Sequence, residues 1–285
     1  MCIIMIRKPK VIGICGSSRK GGNTEQFLKH ALNITSKYDI DTELITLYDK
    51  KIDVDTCFSC KSPCVHRTAI CIHKDDFNSI LQKMIEADGI IIGSPVYWGF
   101  MPPKLAEVLN RAGWVSEGRV SYKKPISVLG LPDTWPESVR PRSRAWPMTS
   151  KGPGLFARKV GGVVTLAQRD GVLTVMSEIL LWMVINNFII ATSNYYPDGL
   201  EQVGRTKEDL WGRIVTPDGM NSMHVTDSLE HDLEAVQTLD HFAENIAWLV
   251  NTTYKVRGTP EEIFAQSLLS SPKWMKPEDR KKVLD

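Results

Sequence analysis

The chain has 285 residues, 42% of them hydrophobic and 24% charged, with a formal net charge of +2. That is the balance of an ordinary soluble globular protein, and it gives no electrostatic case for nucleic acid, since Arg140, Arg142 and Arg144 alone make a weak patch. The length suffices for one well-filled core. The apolar start, Met1 to Ile6, stops at Arg7-Lys8-Pro9 and is too short for a signal-peptide core. The longest apolar stretch, Val172 to Ala191, is interrupted by Glu178, Asn186 and Asn187, so it reads as a buried helix followed by a buried strand, with no membrane span. A cytoplasmic protein is expected.

In chain order, Lys10 to Gly16 is a short apolar run ending in glycine, the form of a buried parallel strand. Asn23 or Thr24 can cap the next helix, with Gln26 in a capping-box position, and Phe27, Leu28, Ala31 and Leu32 form its apolar stripe. Thr42 to Leu47 is the second strand. Asp75 and Asp76 favour a helix start, and Phe77, Ile80, Leu81, Met84 and Ile85 give that helix one apolar face. Gly89 to Ser94 is the third strand. Pro103 suits a first helical turn, followed by Leu105, Val108, Leu109 and Ala112. Lys159 to Leu166, Gly171 to Ile185 and Phe188 to Thr192 are the fourth strand, fourth helix and fifth strand. A long helix over Asp227 to Tyr254 closes the pattern. Alternating strands and helices imply an α/β fold, a doubly wound five-stranded parallel sheet of flavodoxin-like type. Residues 1–255 are expected to form one domain with insertions at about 121–155 and 199–226, and 256–285 a C-terminal extension. Loops of such length are usually functional.

Two loops carry chemistry. Gly16-Ser17-Ser18-Arg19-Lys20-Gly21-Gly22-Asn23-Thr24 joins the first strand to the first helix. A helix N-terminus offers unpaired N–H groups and partial positive charge to a phosphate, glycines permit close approach, and hydroxyls and Arg19 add hydrogen bonds. The bland reading is a glycine-rich turn with an ordinary cap. The second loop, Pro95-Val96-Tyr97-Trp98-Gly99-Phe100, follows the third strand at the same sheet edge, where open α/β sheets bind ligands. Its aromatics suit a flat ring, or merely cover the sheet edge.

The segments GSSRKGGNT, CIHKDDF and EADGIIIGSPVYWGFMPPKLAEVLNRAG resemble the NADPH-dependent FMN reductase and iron–sulfur flavoprotein family, over roughly Lys10 to Gly113. The resemblance implies FMN, its phosphate on the loop carrying Ser17, Ser18, Arg19, Asn23 and Thr24, and its isoalloxazine wrapped by Pro95 to Phe100. A third flavin loop falls at Ala167 to Gly171, where Gln168, Arg169, Asp170 and Gly171 depart from the family's glycine-rich pattern.

Cys57-x2-Cys60-x3-Cys64-x6-Cys71 is compact enough for four thiolates to converge on a [4Fe–4S] cluster or a tetrahedral zinc. A Cys-x-x-Cys dithiol, simple packing, or zinc with His66 or His73 are the alternatives. The iron–sulfur branch of the family has a similar quartet just before its Asp-Asp helix, which implies iron. The expected function is an FMN-dependent oxidoreductase passing electrons between cluster and FMN to a small acceptor. Its rivals are a cluster-free NAD(P)H-dependent FMN or quinone reductase and a dedicated electron carrier. NAD(P)H or a ferredoxin-like protein are the candidate donors. No catalytic acid or base stands out. Trp135 and Trp146, in the insertion between Ser121 and Leu155, point to a homodimer or homotetramer, or to a lid.

Overall fold

A computed structural model describes residues 7–54, 57, 71–121, 154–167, 171–193 and 233–258. The elements are β1 (Lys10–Cys15), α1 (Asn23–Ser36), β2 (Asp41–Thr46), α2 (Phe77–Glu86), β3 (Gly89–Pro95), α3 (Pro103–Ser121), β4 (Val160–Leu166), α4 (Val172–Ile185), β5 (Ile189–Ile190) and α5 (Leu233–Thr253). The strands form one five-stranded sheet in the order β2-β1-β3-β4-β5, with every pairing parallel. This is the flavodoxin-like architecture expected above. β5 is shorter than the Phe188 to Thr192 expected, and Phe188 instead turns its ring toward Phe156 and Trp182. The insertions expected at 199–226 and over most of 121–155, the start of the last helix at residue 227, and the tail beyond residue 258 lie outside the described residues.

Parallel strands are buried on both faces, so each must supply apolar side chains in both directions. On β1, Ile12 and Ile14 enter the core beneath α2, α3 and α4, while Val11 and Cys15 enter the core beneath α1 and α5. β3 divides in the same way, with Ile90 and Ile92 on one side and Ile91 on the other. On β4 the two adjacent glycines let helices from opposite faces come close. A Cβ on Gly161 would lie 2.8 Å from the Met183 sulfur of α4, and one on Gly162 would overlap the Phe242 ring of α5. Among the described residues no helix is long and apolar enough to cross a membrane.

The amino edge of the sheet is closed by charge. Asp88 accepts two hydrogen bonds from Arg7, at 2.7 and 2.8 Å, and one from the Lys10 amide at 2.9 Å. Arg257, just past α5, pairs with the same carboxylate at 3.0 Å. Beside them the buried Lys159 gives its ammonium protons to the Ile85 and Ala87 carbonyls at the end of α2. Burial, and then the nearby Arg257, hold that lysine well below its ordinary range.

Gly162→Ala should force α5 off the sheet, because Phe242 is rigid and fully buried. Overpacking of this kind costs about 1–3 kcal/mol, read as a lower urea midpoint. An unchanged midpoint would show that α5 does not seat on β4 through this ring.

Candidate functional site

Because the sheet is parallel, the segments that follow β1, β2, β3 and β4 all emerge at its carboxyl edge. The first is the glycine-rich loop. It leaves the sheet with the Gly16 amide bonded to the Gly93 carbonyl at 2.8 Å, which aligns it with β3. Ser17 is buried, and its hydroxyl accepts the Arg19 amide at 3.1 Å, tightening the turn. Neither Asn23 nor Thr24 caps the helix as expected. The N-cap is Gly22, which makes no side-chain cap hydrogen bond. The acidic side chain that reaches back belongs to Glu25, which accepts the Gly21 amide at 2.7 Å, while Gln26 donates to the Gly21 carbonyl at 3.0 Å. Lys29 neutralises Glu25 at 2.6 Å one turn later. The result is a helix N-terminus without a side-chain cap, whose dipole favours negative charge. The Asn23 amide oxygen is buried beside it without a hydrogen-bond partner among the described residues.

The second loop is a tight two-residue turn. Tyr97 and Phe100 exchange backbone hydrogen bonds at 2.9 and 3.1 Å. Trp98 and Gly99 between them have φ of 52° and 86°, the pattern that a turn with two left-handed central residues demands. Glycine meets that demand freely, but tryptophan is strained there. The three aromatics do different jobs. Tyr97 reaches across to the first loop, its hydroxyl 3.2 Å from the Ser18 amide and 2.7 Å from the Ser18 hydroxyl. Trp98 is 99% exposed and Phe100 65% exposed, so neither merely covers the sheet edge. Val96 extends the pairing by donating its amide to Leu166 at 3.0 Å.

The third loop meets the second. Gly171 has φ of 90°, and a Cβ on it would lie 2.8 Å from Val96 and 3.0 Å from the Gly99 Cα. Thr165, near the end of β4, keeps a buried hydroxyl with no partner among the described residues. Gln168, Arg169 and Asp170 lie outside the described residues.

The cysteine segment follows β2 and is pinched at its stem. The Lys51 amide donates to Asp76 at 2.7 Å, the Asp76 amide returns to the Lys51 carbonyl at 2.9 Å, and the Asp53 amide donates to Asp75 at 2.9 Å. Lys104, in the first turn of α3, holds the Leu47 and Lys50 carbonyls at 3.2 and 2.7 Å. Asp75 and Asp76 are therefore stem residues as well as helix starters. Cys57 is half-buried and Cys71 buried; Cys60 and Cys64 lie outside the described residues. Among the described residues no cluster of three or more candidate ligands forms.

Cys71 is held from two directions. Asn78 accepts its amide at 3.2 Å and donates to its carbonyl at 2.8 Å. Arg111 of α3 donates to its Sγ at 3.1 Å. Arg111 is not among the expected site residues, although its spacing of three from Val108 and four from Val115 puts it on the buried face of α3. A cation on an apolar stripe, with an acid upstream to pair with it, is the signal that marks it.

Against known proteins, residues 9–132 match the model of the family described as NADPH-dependent FMN reductase. An iron–sulfur flavoprotein of Methanocaldococcus jannaschii is 43% identical over 103 residues, covering 36% of this chain and 51% of the relative. An iron–sulfur flavoprotein of Methanosarcina thermophila is 32% identical over 118 residues, covering 41% of this chain and 59% of the relative. The chain thus spans about half the length of these relatives. Among solved structures, RosB with a bound intermediate (8-demethyl-8-formylriboflavin-5'-phosphate) superposes with a TM-score of 0.52 at 15% identity, over 94% of this chain and 90% of that one. A flavone reductase superposes at 0.50 and 16% identity, over 88% and 65%. At such identities the structural likeness speaks for the fold.

The strain at Trp98 has a measurable consequence. Asparagine tolerates the left-handed conformation, and Trp98 buries nothing, so Trp98→Asn should gain roughly 1 kcal/mol of stability. It should at the same time weaken retention of a flat aromatic ligand. A variant less stable than the parent in urea would show that the turn carries no strain.

Proposed function

We propose, from the match of residues 9–132 to the model of the NADPH-dependent FMN reductase family, that the chain is an FMN-dependent oxidoreductase of the iron–sulfur flavoprotein type. The observation that carries the proposal is the joining of three β-to-α loops at one sheet edge. Ser18 bonds Tyr97, and Gly171 packs on Val96 and Gly99. The residues present fit the cofactor. The open N-terminus of α1, with Ser17, Arg19, Asn23 and Thr24 around it, suits the FMN phosphate. The orphaned Asn23 amide can accept a ribityl hydroxyl or, rotated, donate to the phosphate. Trp98 and Phe100 present apolar surface for the ring, and backbone groups of Pro95 to Gly99 line its approach.

Cys57, Cys60, Cys64 and Cys71 would hold the cluster. Two buried nitrogens, Arg111 Nε and His73 Nε2, have no hydrogen-bond partner among the described residues and fit the acceptor sulfurs of such a group. When bound, FMN supplies two-electron chemistry with stepwise release, and a [4Fe–4S] cluster supplies one-electron transfer. The chain's own contribution is to hold both groups at one edge, with Arg19 opposing phosphate charge and Arg111 opposing sulfur charge. The likeness to iron–sulfur flavoproteins of Methanocaldococcus jannaschii and Methanosarcina thermophila supports iron over zinc. NAD(P)H or a reduced ferredoxin-like protein would supply electrons, and a small molecule would receive them.

Arg19→Ala combined with Thr24→Ala should leave the fold intact and weaken FMN binding. A lost charged hydrogen bond alone is worth roughly 1.5–3 kcal/mol, about one to two decades in affinity. Flavin fluorescence titration measures it, and equal affinity for parent and variant removes the phosphate assignment.

Protein prepared anaerobically with iron should contain about four irons per chain, and Cys64→Ala should lose that iron while keeping FMN. Parent protein that carries FMN and negligible iron makes this chain a cluster-free reductase. A homodimer or homotetramer completes the proposal, and light scattering tests it: the mass of a monomer removes it.

A further inference from the structure

Arg111 is held more firmly than a helix cation needs to be. Its side chain is 1% exposed and that of Asp75 0%. The pair is bidentate, at 2.6 and 2.9 Å, and the guanidinium lies 4.2 Å above the centroid of the Phe77 ring. Asp75 is in turn fixed by the Asp53 and Phe77 amides, at 2.9 and 3.2 Å. A planar group clamped on one edge and one face cannot rotate, so the direction of its remaining Nη2 N–H bond is fixed. That direction is Cys71, whose Sγ lies 3.1 Å from Nη2. An ion pair needed only to tie the loop to α3 would be complete with Asp75.

We propose that Arg111 is a positioning residue that orients Cys71 and raises the reduction potential of the iron–sulfur cluster that Cys71 would ligate; the inference rests on the iron–sulfur reading above. Reduction adds one electron from the donor, with no bond made or broken and no proton moved. The added negative charge spreads onto the ligand sulfurs. A guanidinium at hydrogen-bond distance in a buried site favours the more negative state, so reduction becomes easier. Asn78, bonded to the backbone of Cys71 on its other side, fixes where the sulfur sits without adding charge.

The test compares the full chain, loaded with iron under anaerobic conditions, as parent, as Arg111→Lys and as the double variant Arg111→Gln with Asp75→Asn. The double variant removes both charges together, because removing arginine alone would strand a buried carboxylate. Iron per chain, FMN per chain and the cluster midpoint by potentiometric titration with EPR detection are measured on each. The double variant should keep its iron and lose about tenfold in the equilibrium constant for reduction, a fall of about 59 mV for one electron. Arg111→Lys keeps the charge but not the fork, and should fall by about threefold. Iron-loaded variants whose midpoints equal the parent's overturn the inference and leave the cluster reading standing, even where stability drops. Parent protein without iron overturns the cluster reading and this inference with it. Should the double variant fail to fold, the midpoint of Arg111→Lys decides between the same two outcomes.

Discussion

One constraint orders this molecule: all the strands run the same way. A parallel sheet hides both faces under helices, and every chain reversal must cross from one edge to the other. Segments leaving the carboxyl ends of β1, β2, β3 and β4 therefore crowd together whatever their sequences. Evolution of function then reduces to what those segments contain. Here they contain an uncapped helix N-terminus, a strained aromatic turn, a pinched cysteine loop and a glycine that lets the third loop touch the second.

The contacts among these segments are both polar and apolar: Gly171 packs on Val96 and Gly99, and hydrogen bonds join the others. The Tyr97 hydroxyl spans two loops, and the Arg111 guanidinium joins α3 to the end of the cysteine segment. A buried ion pair is a poor source of net stability, because desolvating two charges consumes most of the attraction. Such pairs make sense where orientation matters more than stability, and Asp75 with Arg111 sits at such a place. The Trp98 turn follows the same logic, with local strain maintained by a sheet that is stable without it.

The alternation of apolar strands with amphipathic helices was legible because burial on two faces leaves continuous runs such as Ile90-Ile91-Ile92. Element ends were less legible. A capping-box pattern points to a hydroxyl or amide at the N-cap, as at Asn23 with Gln26, whereas a bare glycine starts the helix and Glu25 reaches back. Asp75 and Asp76 were read for their local effect on a helix, although their partners Lys51, Asp53 and Arg111 lie more than twenty residues away in sequence. Nothing local marks such pairings, and a stripe search that counts only apolar positions skips a buried arginine. Tyr97 was grouped with its aromatic neighbours because composition does not distinguish a hydroxyl that points inward from rings that point out.

The charge hub at the opposite edge has a bearing on how this domain tolerates additions. Arg7 and Arg257 converge on the one carboxylate of Asp88, so the two flanks of the domain are stitched together behind the sheet. This hub lies at the edge of the sheet opposite the loops that follow β1, β3 and β4. A short linker between those flanks, with new ends opened elsewhere on the surface, would give a circularly permuted chain with the same sheet order. Fusion partners, surface tethers and electrode attachments belong at this edge, where they leave the carboxyl side clear for whatever approaches it.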